Sequence, residues 1–588
     1  MDRTDFLKRL VFLTFIPLFL GLIFLQLFSY PYFRRLSENN SIRTIYLDIP
    51  RGKILDRNGI VLAEDKLGFN LAFVPFDLKN PSQCAKILAP ILHTETSALL
   101  EKLTEKFANP FEPRVLYHNL SQEQLHFVEE NSNLLEGIYV QAGLVRTYPL
   151  GKDASILVGY LGEVTKEELL SMKKEGIRPG DLVGRAGIER LFDHLLRGER
   201  GGTQVEVDAH GHQLRILGQK ASKPGHSIVL TIDSRLQRIA AQKLGERPGS
   251  VVAISPDSGE ILALVSKPAY NPSDPAPYLS KANKPFLNRA IAGLYAPGSV
   301  FKIITSIAAL ETGAITPEEE YNCSGMMVFG DREFHCWKEE GHGWVSFKDA
   351  FAQSCNIYFG QIGVKTGAAA LLEFARRAGL GTPTGIDLPG EKAGFIPAVE
   401  ESGGALNLSI GQGALLVTPL QMASLVATVA NGGNILRPEV VKEIISPEGT
   451  VVERFGPSLR GYFFISETTL SLLKEAMELV VTSGTGRAAQ VPGIPVAGKT
   501  GTAQIAHREL ELPTRGSFVC YAPAENPEIA MAVVLDAGAS SEAAAIAGQI
   551  LKEYFYPPEE NNLSGTDTDQ ERNGSAKRTL LYEKRETL

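Results

Sequence analysis

Cysteine is scarce in this chain, with five residues among 588. That excludes a disulfide-stapled scaffold, which needs dense pairing in a short sequence. Basic charge is not in excess either. Lys and Arg number 59 against 67 Asp and Glu, for a net charge of −8 and a pI near 5.8. Nucleic acid is therefore excluded as the main ligand. Internal repeats are missing, and with them solenoid and propeller architectures. What remains is ordinary globular composition, 44% apolar and 21% charged. The chain is too long for one core, so two or three domains are expected.

Long apolar runs are rare, and Leu10 to Ser29 stands out. It reads LVFLTFIPLFLGLIFLQLFS and carries no charge. Such a run spans the roughly 30 Å of a bilayer core. A cleaved signal peptide is the rival reading, but no A-x-A-like site follows. Tyr30 and Tyr32 stand where an interfacial belt belongs. Arg3, Lys8 and Arg9 precede the run and Arg34, Arg35 and Arg43 follow it, so charge alone leaves the orientation open.

Beyond this anchor, Arg57-Asn58-Gly59 lies between apolar runs and reads as a hairpin turn. Residues 80–135 read as amphipathic helix, and Gln204 to Asp208 alternates like a strand. The polar stretch 218–225, GQKASKPG, marks a domain boundary. Ile228 to Ile232 then reads as a strand, with Asp233 or Ser234 capping a helix. Val251 to Ser255 and Glu260 to Ser266 flank Pro256-Asp257-Ser258-Gly259 as a hairpin. Phe518 to Ala522 and Ile529 to Leu535 are further strands, and helical segments fill 299–430. Strands at both ends with helices between them imply an α+β fold whose sheet is closed by distant segments. Residues 557–588 are polar and read as a disordered tail.

Three short motifs occur in order: Ser299-Val300-Phe301-Lys302, Ser354-Cys355-Asn356 and Lys499-Thr500-Gly501-Thr502. Each type also recurs elsewhere. S-x-x-K appears at Ser171/Lys174 and Ser471/Lys474, and roughly two matches are expected by composition alone. K-T-G recurs at Lys365 to Gly367, which reads as a helix terminus. S-x-N recurs at Ser37/Asn39 beside the anchor. Context separates them. Ala296-Pro297-Gly298 is a turn feeding an apolar helix that Gly313 stops. Ser299 and Lys302, three residues apart, share a face of that helix. A lysine buried there loses proton affinity and can take the serine proton. Ser299 at the helix start also has free backbone N–H groups near it for an oxyanion. In PVAGKTGTAQI a strand is expected, with FVCYAPA pairing to it. Gly501 lets a substrate backbone lie close, and Lys499 beside Thr hydroxyls suits a carboxylate. Ser354 can relay a proton, and Asn356 can hold Lys302 and a substrate amide.

The ordered trio is the equipment of enzymes that acylate themselves on D-alanyl peptides or β-lactams. With RGKILDRNG at 51–59, GRAGIERLFDHLLRGERG at 184–201, LYAPGSVFK at 294–302, CWKEEGHG at 336–343, LSIGQGALLVTPLQMA at 408–423 and AGKTGTAQ at 497–504, the chain resembles the class B penicillin-binding proteins. The resemblance spans nearly the whole length and is nearest the elongation, or penicillin-binding protein 2, type. It implies a membrane helix at 10–29 behind a short cytoplasmic stretch at 1–9. An extended pedestal (dimerisation) domain at 30–224 and a transpeptidase domain at 225–556 follow. It also implies D,D-transpeptidation of peptidoglycan stem peptides through an acyl-enzyme at Ser299, with Lys302 as base. Ser354, Asn356 and Lys499 would handle protons and orient substrate, Thr500, Gly501 and Thr502 would bind it, and the N–H groups of Ser299 and Thr502 would form the oxyanion hole. β-Lactams would bind covalently, no cofactor would be required for the chemistry, and the partner would be a SEDS-family glycan polymerase. The protein would sit in the inner membrane, N-in and C-out, and serve cell elongation and shape.

Cys323, Cys336, His342 and Cys355 fall in one stretch. Three thiolates and an imidazole make a tetrahedral Zn²⁺ site, and some members of the resembling family carry zinc in this region. A Cys323–Cys336 disulfide and unpaired buried thiols are the alternatives. The rival activities are D,D-carboxypeptidase or serine β-lactamase, which usually lack a pedestal, and a membrane β-lactam sensor, which would want a larger cytoplasmic region.

Overall fold

The computed structural model describes residues 3–30, 32, 42–46, 49–105, 113–172, 177–207, 213–330, 332–401, 404–503 and 514–557. Helix α1, Arg3–Ile23, continues into a π-turn at Phe24–Phe28. Leu10–Phe28 has a mean hydropathy of 2.5 and is nowhere buried. It is long and apolar enough to cross a membrane.

The pedestal is built on the long strand β1, Val61–Phe73, paired antiparallel over ten residues with β2, Ile138–Thr147. Leu71 and Phe73 bury against Cys84, Leu88 and Leu99 of the helices beside them. Those helices are Pro81–Ile91, Thr96–Thr104 and Gln122–Glu130. The expected all-helical 80–135 is interrupted by a strand at Arg114–Tyr117 that pairs with β1. Its β-branched and aromatic Val115 and Tyr117 fit an edge strand better than a helix. A strand at Gln213–Lys220 likewise takes in the start of the polar stretch 218–225. Cross-strand pairing with Gly202–Val207 decides the conformation there over local composition.

Pedestal and catalytic portions share a sheet. Ile54–Leu55 runs parallel to β3, Ser227–Leu230, which also pairs with Val441–Ile445. Asp56 explains the DRNG turn. Its carboxylate accepts from the N–H of Asn58 and Ile60, and from that of Ser234 at the start of α2, Ser234–Leu244. Asp233 caps the same helix by accepting from Leu236 N–H.

The catalytic portion is a five-stranded antiparallel sheet in the order β5-β4-β8-β7-β6. These strands are β4 (Gly249–Ile254), β5 (Ile261–Lys267), β6 (Ala497–Ala503), β7 (Arg515–Ala522) and β8 (Ile529–Leu535). Apart from Thr502 and Arg515 on β6 and β7, its strands are buried throughout, because helices cover both faces. One face packs on α2 and on the C-terminal helix Ser540–Phe555. The other packs on the helical layer holding α3, Lys302–Glu311, and α4, Asn356–Thr366.

Candidate active site

Ser299 does not start the α-helix. It lies on a 3₁₀ turn, Gly298–Phe301, and the α-helix α3 begins at Lys302. In a 3₁₀ turn residues i and i+3 eclipse, so serine and lysine stand one above the other. Gly298 is held at φ +54, where glycine costs least. A Cβ there would lie 2.5 Å from Thr502 O, and one on Gly411 would lie 2.1 Å from Gly298 O. The turn bearing Ser299 is thus wedged between strand β6 and the GQG run, and Gly298 N–H donates to Gly411 O.

Lys302 is fully buried. Its Nζ donates to Ser354 O at 2.8 Å, Asn356 Oδ1 at 2.9 Å and Ser354 Oγ at 3.2 Å. Desolvation nonetheless pulls its pKa down to about 7, against the opposing pull of the Cys355 and Cys336 thiols. Lys499, also fully buried, donates to the same Ser354 Oγ at 2.9 Å and to Thr500 O at 3.2 Å. Burial first, and then the neighbouring Lys302 charge, hold it well below the ordinary lysine range. One hydroxyl therefore joins two lysines that disfavour each other's charge. Ser354 reaches this place with φ +53, a left-handed conformation that is uncommon outside glycine and collects at functional sites. Cys355 caps α4, its Sγ accepting from Tyr358 N–H at 3.4 Å.

On β6, Lys499, Thr500 and Gly501 are buried and Thr502 is exposed. Gly501 pairs with Ser517, and a Cβ on it would meet Ser517 Oγ at 2.3 Å. The hydroxyls of Thr500 and Thr485 lie 2.6 Å apart, and Thr485 N–H donates to Ala352 O. Thr485 is a site neighbour that motif reading missed, since no motif contains it. The duplicate motifs have plain structural roles. Lys365 pairs with Glu319 at 2.8 Å at the end of α4, and Lys474 donates to Ala430 O. Ser171 donates to Glu168 O, while Lys174, Ser37 and Asn39 lie outside the described residues.

Cys323, Cys336, His342 and Cys355 come together, with one ligand atom from each and all four within 4.8 Å of one another. Both Cys323 Sγ and Cys336 Sγ lie 3.5 Å from His342 Nδ1. Bonds of about 2.3 Å to sulfur and 2.0–2.1 Å to nitrogen set a tetrahedral S···N edge of about 3.5 Å, so the donor set fits zinc. All five cysteines are free thiols, contrary to the Cys323–Cys336 disulfide. A hydrogen bond from Cys355 drives the Cys336 thiol well below its ordinary range and Cys355 above it. Burial keeps His342 below its usual value. Thiolate and neutral imidazole are the ligand forms.

A serine on the turn before a helix, two lysines of lowered proton affinity and a glycine-bearing edge strand are the parts that a self-acylating serine acyltransferase needs. Residues 249–556 match the penicillin binding protein transpeptidase domain, and 47–230 the penicillin-binding protein dimerisation domain. Peptidoglycan D,D-transpeptidase MrdA of Acinetobacter baumannii is 33% identical over 95% of this chain and 88% of its own. A solved peptidoglycan synthase complex that coordinates polymerization and crosslinking contains a chain 29% identical, matched over 96% of this chain and all of that one, with TM-score 0.68. The PBP2 of Helicobacter pylori, solved in complex with MreC, shares the fold at TM-score 0.72 and 24% identity, over 87% of this chain and 99% of that one. The chain belongs to the penicillin-binding proteins, as a peptidoglycan D,D-transpeptidase of the penicillin-binding protein 2 type.

Proposed function

We propose that Ser299 is the acylated residue, and that the protein cross-links stem peptides during cell elongation. The observation that carries this reading is the Ser354 hydroxyl held between Lys302 and Lys499, beside the turn bearing Ser299. Neutral Lys302 takes the Ser299 proton as the oxygen attacks the penultimate D-Ala carbonyl. The N–H groups of Ser299 and Thr502 receive the oxyanion. Lys499 with the Thr500 and Thr502 hydroxyls binds the terminal carboxylate. The departing D-Ala amine is protonated through Ser354, and the acceptor amine retraces that path. Asn356 holds Lys302 and the substrate amide. A β-lactam enters as a D-Ala-D-Ala mimic and stays on the serine.

The same reading places the 30–224 pedestal and the 225–556 catalytic domain outside the inner membrane, with residues 1–9 inside. Protease digestion of spheroplasts checks that orientation. The partner is a SEDS-family polymerase, a reading supported by the synthase complex to which the chain is similar. Co-purification from detergent-solubilised membranes checks it. Cys323, Cys336, His342 and Cys355 hold structural zinc, which would fix the Ser354–Asn356 turn through Cys355 and supply no chemistry to acyl transfer.

Fluorescent penicillin is expected to label the wild type and not Ser299→Ala, whereas Ser171→Ala and Ser471→Ala label normally. Labelling of a folded Ser299→Ala protein would overturn the assignment.

A further inference from the structure

Both tryptophans of the chain lie within eight residues of each other, and both are exposed, Trp337 at 59% and Trp344 at 70%. They flank the cysteine cluster on a small β structure unused by the mechanism above. A hairpin pairs Met326–Phe329 with Arg332–His335, and a second ladder pairs Tyr321–Cys323 with Gly343–Val345. Alternation sorts the first hairpin. Phe334 is buried and Met327 partly buried, packed on the core, while Met326 and Val328 are exposed at 40% and 64%. Met326, Val328 and Trp344 are thus exposed on these strands and Trp337 on the bend between the two ladders, and several large apolar exposures on one small substructure signal a contact surface where scattered single ones do not.

This surface continues from the catalytic groove. Trp337 Nε1 donates to the carbonyl of Gln353, the residue before Ser354. Asn356 Nδ2 donates to His335 O. The hairpin therefore rises from the wall formed by the Ser354–Asn356 turn. The other wall is β6, with Lys499, Thr500 and Thr502, where the donor carboxylate is placed. A transpeptidase must hold two strands at once, and the donor occupies β6.

We propose that Met326, Val328, Trp337 and Trp344 form the shelf on which the acceptor strand of peptidoglycan docks. Indole faces stack on the apolar C–H faces of its sugar rings, and the aliphatic side chains cover the adjoining peptide. Tryptophan suits this task because it offers a large rigid contact at low entropic cost. The inference rests on the acyl-transfer reading above. It adds where the second substrate lies and implies that the shelf favours cross-linking over hydrolysis of the acyl-enzyme.

The test uses the full-length protein with its polymerase, supplied with lipid-linked disaccharide pentapeptide. Three rates are read in the wild type, Trp344→Ala, and Val328→Ser/Trp344→Ala. They are acylation by fluorescent penicillin, exchange of the terminal D-Ala for a free D-amino acid, and formation of cross-linked muropeptides. Penicillin and a free amino acid need no shelf, so the first two rates stay within about twofold of wild type, while cross-linking falls roughly tenfold, the scale of losing an aromatic anchor. Trp344→Phe restores most of it. Unchanged cross-linking in the double variant overturns the shelf. So does a parallel fall of all three rates, which would make the hairpin merely structural. A wild type that does not acylate would instead sink the acyl-transfer reading itself.

Discussion

Lys302 carries the residue-scale argument. Its ammonium has three acceptors within 3.2 Å and Phe359 at 5.2 Å from Nζ to the ring centroid. Burial still lowers its pKa to about 7. The base form is the neutral amine, so acylation should rise with pH through about 7 and then level off. The sign follows because a lower pH protonates the base. Lys302→Arg keeps a cation that does not deprotonate near neutrality. Its acylation rate should fall by about 10²-fold or more, read by stopped-flow with a chromogenic cephalosporin. A near-normal rate would leave Ser299 needing another base. The sequence made this lysine legible, since a charge inside an apolar run must be explained. It did not show that Lys499 is equally buried, or that Ser354 stands at φ +53. Both follow from how separate segments meet, and neither leaves a local pattern.

At the scale of elements, local chemistry marked turns and caps well. Asp233 caps its helix, and Gly367, with φ +84, ends the helix carrying the accidental K-T-G. Strands were legible where they are buried and apolar, and where they alternate, as at Gly202–Val207. The strands at Arg114–Tyr117 and Gln213–Lys220 escaped because cross-strand partners decide them. The cysteine cluster shows the same division. The four ligand candidates were visible as residue types, but their convergence, with His342 Nδ1 3.5 Å from two thiols, depends on how separate segments meet. Zinc would tie the hairpin at 326–335 to the start of α4 through Cys336 and Cys355. Protein purified without added zinc or a histidine tag should hold about one zinc per chain, lost in Cys336→Ser. Stripping the metal should lower the melting temperature and slow acylation. Metal-free protein with the three thiols of Cys323, Cys336 and Cys355 titratable at full activity would end the claim.

At the scale of the whole molecule, the pedestal is joined by charges that no short motif reveals as a set. Glu189 is completely buried and accepts from Arg51 Nε and Arg146 Nε, each at 2.7 Å. Arg51 also reaches Asp193 at 2.9 Å, and Arg146 reaches Asp65 at 3.1 Å. Four distant stretches of the pedestal thus meet at one cluster, and two of them are the RGKILDRNG and GRAGIERLFDHLLRGERG runs. Burial would push the Glu189 carboxyl up, but the two guanidiniums outweigh it and hold it below the ordinary range. Removing the anion leaves two buried cations facing each other, a change that costs about 3–5 kcal/mol. Glu189→Ala should therefore unfold the pedestal at lower denaturant or temperature. One face of the catalytic sheet packs on a core without pedestal residues, while the other shares a core with Ile188 and Leu196 of the pedestal. Penicillin labelling at low temperature should then survive in the variant, while differential scanning calorimetry shows an early transition split from the catalytic one. A single transition with labelling lost in step would show that the two portions fold as one unit, joined through Ile54–Leu55 and β3.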